Sequence, residues 1–236
     1  MHMAKKNASK DSSFEIPQME KNIHINRKHK LTAKQTKILK AILSSEGGVI
    51  IIDGPAGTSK TYLALYSALQ DMLNTGRPIM YLRSVVESST RRIGHLPGNL
   101  DEKFFPFTGP LDDKLEEFLE PMDIKYLKEN LLIEARPINY IRGRDWKSKI
   151  VIIDEAQNLT REELLTAMTR ASIDTKIIMC GDLMQSDIKD GGFEEICEKF
   201  ADKESKNMGI HQFTFTKNDI LRSPLVKFIV SKFQQK

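Results

Sequence analysis

The chain has 236 residues, enough for one well-buried domain and too few for two of ordinary size. Apolar residues make up 40% and charged residues 29%, and no stretch reaches the apolar length of a membrane span, so a soluble globular protein is expected. A net charge of +4 permits contact with nucleic acid but falls short of a DNA-coating protein.

Residues 1 to about 30 are polar and lysine-rich, without sustained periodicity, and read as a flexible basic tail. They do not read as a secretory signal, and Cys180 and Cys197 lie outside any C-x-x-C spacing, so a reducing cytoplasm is the expected setting. From about residue 31 a helix is predicted, capped by Thr32, carrying Ile38, Leu39, Ile42 and Leu43, and ended by Gly47-Gly48. Gln35 on this helix is a candidate adenine contact, because a primary amide pairs one donor with one acceptor.

Residues 48 to 61 are the strongest signal. The apolar run Val49-Ile50-Ile51-Ile52 ends at Asp53, followed by Gly54-Pro55-Ala56-Gly57-Thr58-Ser59 and a helix opening at Lys60-Thr61. Strand, glycine-rich loop and helix in that order make a phosphate-binding loop, whose backbone N–H groups and helix N-terminus cradle phosphate oxygens. Lys60 is expected to face the β- and γ-phosphates, and the Thr61 hydroxyl to ligate Mg²⁺. Ser59 stands where G-x-x-x-x-G-K-[ST] has its second glycine, and its Cβ is expected to require a negative φ. Tyr62, Leu65, Tyr66, Leu69 and Met72 then recur at helical spacing up to Asn74-Thr75-Gly76, and a strand is predicted over Pro78 to Leu82.

Residues 84 to 130 interrupt this βαβ rhythm. An excursion of that length after a strand suggests a lid, partner surface or substrate loop, with a plain surface insertion as the alternative. It carries Arg91 and Arg92 and a helical stretch around Leu111 to Leu119. After a predicted strand over Leu131 to Ala135, Arg142 and Arg144 flank Gly143, and a guanidinium binds anionic phosphate oxygens in bidentate fashion. All four arginines are nucleic-acid candidates.

Ile150 to Ile153 form a buried strand that delivers Asp154-Glu155-Ala156-Gln157 to its carboxyl end. Asp154 is expected to hold Mg²⁺ through its water shell, and Glu155 to take a proton from attacking water. Thr160 with Glu163 forms a capping box. A further strand over Lys176 to Cys180 leads to Gly181-Asp182 and Gln185, the last a candidate for orienting water or for bonding its own loop. A last strand over Ile210 to Phe215 precedes Leu221-Arg222-Ser223-Pro224 and an amphipathic helix through Phe233. Arg222 is a candidate arginine finger reaching a neighbouring subunit's γ-phosphate.

Taken together, the motifs resemble those of the PhoH family, phosphate-starvation-inducible ATPases related to superfamily 1 helicases. The resemblance covers about residues 31 to 235 and rests on residues 54–61, Arg83 with Glu87, Gly94 to Gly98 and Tyr140 to Arg144. It rests also on Asp154 to Asn158, Gly181-Asp182 with Gln185, and Arg222 before Pro224. The family usually has glycine at position 59 and often histidine at 223, where this chain has serine. The resemblance implies a RecA-like core, ATP with Mg²⁺, a ring-shaped homo-oligomer of hexamer type and RNA-linked activity. Short stand-alone forms of this kind resemble versions carried by bacteriophages as well as bacteria.

The expected fold is therefore a single α/β domain of RecA-like P-loop type, three layers deep, with a central, mostly parallel sheet. The expected function is ATP hydrolysis coupled to RNA or other single-stranded nucleic acid. A small-molecule phosphotransferase and a non-hydrolysing nucleotide-gated scaffold are the rivals, and Glu155 and Gln185 argue against the first.

Overall fold

The computed structural model describes residues 22–27, 29–45, 47–84, 109–138, 141, 146–172, 174–186, 188 and 191–221, with Leu225, Phe228 and Lys232 beyond them. Six strands form one sheet: β1 (Gly48–Asp53), β2 (Ile79–Arg83), β3 (Ile133–Pro137), β4 (Ile150–Asp154), β5 (Lys176–Gly181) and β6 (Ile210–Thr214). Their order across the sheet is β3-β2-β4-β5-β1-β6, and every pairing is parallel. This is the expected RecA-like α/β architecture. The apolar runs read as strands because both of their faces are covered.

The period-2 alternation of strand side chains divides the interior. Ile50, Ile52, Tyr81, Ile152 and Ile178 belong to one core, packed with helices α1 (Ala33–Ser44) and α2 (Lys60–Thr75). Val49, Ile51, Leu82, Ile153 and Met179 belong to the other, with Leu164 of α4 (Arg161–Met168) and Phe193 of α5 (Phe193–Lys199). Between β2 and β3 lie helical residues 109–115 and α3 (Pro121–Glu129), and α6 (Lys203–Asn207) precedes β6. The result is helices on both faces of a sheet.

Helix starts follow their sequence signals. Thr32 and Thr160 both form complete capping boxes, with Gln35 and Glu163 respectively. Gly76 ends α2 in the left-handed conformation, donating its N–H to Met72 O at 2.8 Å. Most of α2 from Tyr62 to Met72 is buried, so it is a central helix rather than an amphipathic surface one. The packed part of the chain begins before residue 31: Ile23 and Ile25 lie against the first core, and Asn26 N donates to Phe118 O at 2.7 Å.

Parallel pairing brings the carboxyl ends of all strands to one edge. Because β5 runs between β1 and β4, Gly181-Asp182 lies between the glycine-rich loop and Asp154-Glu155. Arg83 lies beside Asp154 on the other side, in register. Ligands of open α/β sheets gather at such an edge.

Candidate nucleotide site

The loop after β1 is fixed by its own chain. Gly54 N donates to Gly181 O at 3.2 Å, Ala56 N to Asp182 Oδ2 at 3.1 Å, and the Thr58 hydroxyl to Pro55 O at 2.9 Å. Leu221 N donates to Gly57 O at 3.0 Å. Gly54 has φ 150°, and a Cβ there would lie 2.6 Å from Phe215 Cβ, so only glycine fits. Ser59 corrects the expectation of negative φ: it adopts φ 64° and ψ 35°, the left-handed geometry, with its Cβ in place. The loop keeps its conformation and carries the strain.

These restraints leave a phosphate-sized opportunity. Among the described residues, the backbone N–H groups of Gly57, Thr58, Ser59, Lys60 and Thr61 have no acceptor, and three of them belong to the loop and two to the first turn of α2. Lys60 Nζ donates to the carbonyls of Gly54 and, at 3.2 Å, Pro55, so the ammonium is folded over the loop it belongs to. A polyphosphate fits this cradle, because it supplies acceptors for the unpaired amides and a counter-charge for the ammonium.

The metal question turns on Thr61 and Asp154. Thr61 Oγ1 donates to Asp154 Oδ1 at 2.8 Å, and the hydroxyl of Tyr81 to Asp154 Oδ2 at 2.5 Å. Asp154 is 5% exposed. Burial, with the neighbouring Asp154 charge as the next cause, pushes the Tyr81 hydroxyl well above its ordinary pKa, so it stays a donor. No cluster of three or more His, Cys, Asp or Glu occurs among the described residues. One hydroxyl and one carboxylate suit Mg²⁺, which takes few protein ligands and completes its shell with phosphate and water.

Glu155 follows at φ 52°, a left-handed non-glycine residue that turns the chain sharply away from β4. Gln157 Nε2 donates to Glu155 Oε2 at 2.7 Å, while Gln157 Oε1 accepts from Asp182 N at 3.0 Å. Asp182 in turn accepts from Ala56 and Met184. One buried amide therefore joins the candidate base to the strand that anchors the phosphate loop. Asp53 accepts from Leu183 N at 3.1 Å, and burial, together with the Asp182 charge, raises its pKa against the lowering effect of that bond.

A cavity of about 680 Å³ opens over these groups, lined by Lys60, Thr61, Tyr81, Arg83, Asp154 and Glu155 among others. His29, Leu31 and Gln35 form one part of its wall. Gln35 is 2% exposed, and its Oε1 accepts from Thr32 N at 3.0 Å, so the acceptor half of the amide serves the helix cap. Lys114 and Glu117 also line the cavity, so the excursion after β2 reaches the site. Gln185 is exposed, is not among the lining residues, and donates its backbone N–H to Asp182 O at 3.1 Å. Arg91, Arg92, Arg142, Arg144 and Arg222 lie outside the described residues. Tyr81, Gln157 and Arg83 were not singled out for a role by the sequence reading. Arg83 and Gln157 entered only as motif residues of the family resemblance, and Tyr81, in the middle of β2, carries no sequence signal beyond a polar tip on a strand residue.

Among the described residues no helix is long and apolar enough to cross a membrane. The family model described as PhoH-like protein matches residues 28–234. A PhoH-like protein of Synechocystis is 36% identical over 205 residues, 86% of this chain and 61% of that one. Relatives of the same name from Mycobacterium tuberculosis and Bacillus subtilis are 36% and 34% identical, over 76% and 77% of this chain. The chain spans 51% and 57% of their lengths. A crystal structure of Pif1 helicase from Candida albicans overlies 80% of this chain and 40% of its own with a TM-score of 0.39 at 18% identity, too distant a likeness to bear on the site. The phosphate loop, the Thr61–Asp154 pair and a family match running nearly the whole length of the chain agree, and the protein belongs to the PhoH-like family.

Proposed function

We propose that the chain hydrolyses ATP with Mg²⁺ and couples the reaction to RNA or another single-stranded nucleic acid. One observation carries the reading: Thr61 and Asp154 meet at 2.8 Å in the cavity that also holds Lys60 and Glu155. Bound Mg²⁺ would supply Lewis-acid stabilisation of phosphate charge at Thr61 and Asp154. Lys60 neutralises the β- and γ-phosphates, and the free loop amides hold the chain of phosphates in line. Glu155, oriented by Gln157, takes a proton from water as the water oxygen bonds to the γ-phosphorus. The bond from that phosphorus to the β–γ bridging oxygen breaks, and its electron pair leaves on ADP.

Coupling to nucleic acid is supported by Arg142, Arg144, Arg91 and Arg92, and such binding is expected to weaken as salt rises because phosphate contacts release counterions. A ring-shaped homo-oligomer is supported by the exposed apolar Leu221, Leu225 and Phe228, with Arg222 as the finger offered to a neighbour. Cytoplasmic residence goes with this reading.

The test is phosphate release without any added acceptor. Wild-type protein should release phosphate, and Lys60→Ala should weaken Mg-ATP binding. Glu155→Gln should bind ATP and hydrolyse it roughly 10²–10⁴-fold more slowly. Turnover that appears only with a small-molecule acceptor would make the chain a phosphotransferase. Binding without turnover would make it a gated scaffold.

A further inference from the structure

Arg83 ends β2 at the carboxyl edge of the sheet, in register with Asp154. Its side chain is half-buried and lines the cavity together with Lys60, Thr61, Asp154 and Glu155. Arg77, Arg136 and Arg161 are each ion-paired to a carboxylate within the chain. Arg83 has no hydrogen-bond or ion-pair partner among the described residues. The adjacent Asp154 carboxylate accepts from Thr61 and Tyr81 and makes no hydrogen bond or ion pair with Arg83. A partly desolvated guanidinium is costly unless an anion balances it; none of the described residues does so, and its five donors in a planar fork match phosphate geometry.

Its distance from the loop decides which phosphate it meets. Arg83 is separated from β1 by β4 and β5, at about 4.8 Å per strand spacing, so the α- and β-phosphates in the loop lie far from its backbone. Asp154 and Glu155 are one strand away. The terminal phosphate is the part of the chain of phosphates that extends toward them. Lys60 then approaches that phosphate from the loop side and Arg83 from the opposite side.

We infer that Arg83 is a catalytic arginine supplied within the subunit, binding the γ-phosphoryl oxygens of ATP. The inference rests on the hydrolysis reading for its chemistry. The water oxygen bonds to the γ-phosphorus and its proton passes to Glu155. The bridging bond breaks with its electron pair leaving on ADP, and Arg83 neutralises the charge spread over the equatorial oxygens. It does so without a neighbouring protomer, unlike the finger proposed at Arg222. It also discriminates ATP from ADP, since only ATP presents the group it holds.

The experiment compares wild type with Arg83→Ala, Arg83→Gln and Arg83→Lys in the full chain. Calorimetry measures binding of Mg-ADP and of the imido-bridged ATP analogue, and single-turnover phosphate release is followed with and without single-stranded RNA. Expected for Arg83→Ala is unchanged ADP affinity, analogue affinity weaker by about tenfold to a hundredfold, and a rate lower by about 10³ or more. Arg83→Lys should recover part of the binding and less of the rate, since it keeps the charge and loses the fork. Equal weakening of ADP and analogue, or rates that match wild type, would overturn the inference. So would a loss confined to the RNA-stimulated rate, which would make Arg83 a nucleic-acid contact. If Arg83→Ala loses its fold by circular dichroism, the Gln and Lys variants carry the same comparison. If wild type releases no phosphate, the hydrolysis reading falls, and the ADP-against-analogue contrast still decides whether Arg83 holds the γ-phosphate.

Discussion

Ser59 holds a left-handed backbone with a side chain attached, a geometry that costs an L-residue about 1–2 kcal/mol. Glycine avoids that cost but loses roughly 0.5–1 kcal/mol more backbone entropy on folding. Ser59→Gly is therefore expected to stabilise the chain by up to about 1 kcal/mol, a rise of roughly 2–4 °C in Tm for a chain of this size. Nucleotide affinity should hold or tighten. A lower Tm would show that the serine hydroxyl contributes something the hydrogen bonds do not reveal. The loop, Thr61, Asp154 and Glu155 were legible because adjacent residues spell them. The conformation at Ser59 was not, since neighbouring contacts from Gly181, Asp182 and Leu221 impose it from distant parts of the chain. Tyr81 reads as one more apolar strand residue until its hydroxyl is seen on Asp154.

Among the elements, α2 carries the site, and its far half is held by charge. Lys176 is 0% exposed, pairs with Asp71 at 3.1 Å and donates to Ile42 O at 2.6 Å; Arg77 approaches Asp71 at 3.4 Å. The cluster joins α2, β5 and the end of α1. Removing one member of a buried pair strands the other, so Lys176→Met should cost about 3 kcal/mol in urea unfolding, near the lower bound for such breaks because Arg77 remains. Burial lowers the Lys176 pKa from 10.5 despite Asp71. Between the folded and unfolded values the unfolded chain binds the additional proton, so this group makes stability rise with pH up to about 10.5. Lys176→Met should abolish that alkaline gain, and an unchanged pH profile would contradict the assignment. Helices α1, α2 and α4 announce themselves by caps and period. Helix α3, which starts at Pro121 without a side-chain cap, does not, and neither do α5 and α6, whose two turns or fewer give too little periodicity to separate from a loop.

For the proposed ring, the decisive experiment mixes Lys60→Ala with Arg222→Ala, each expected to be inactive alone. If Arg222 acts on a neighbour's nucleotide, some mixed interfaces pair an intact loop with an intact arginine, and ATPase activity partly returns. Arg222→Ala protein that assembles normally and hydrolyses ATP at the wild-type rate would remove the finger. Local patterns predicted the strands and their parallel sense, but not their order. Which strand neighbours which is settled by crossover packing over the whole sheet, and no single segment records it.

That order has a consequence for synthesis. Strand β1, which presents the phosphate loop, is flanked only by β5 and β6, whose residues begin at Lys176 and Ile210. A ribosome makes the loop early and the strands that seat it late. Until β5 emerges, β1 has no partner, Ala56 has no Asp182 to cap it, and the left-handed turn at Ser59 has nothing to enforce it. Nascent or prematurely halted chains ending before β5 should therefore be blind to nucleotide, although they carry the entire loop sequence. If the proposed nucleotide binding holds, nucleotide cannot act as a folding ligand for a chain that stops short of Lys176; it can reward only the finished sheet.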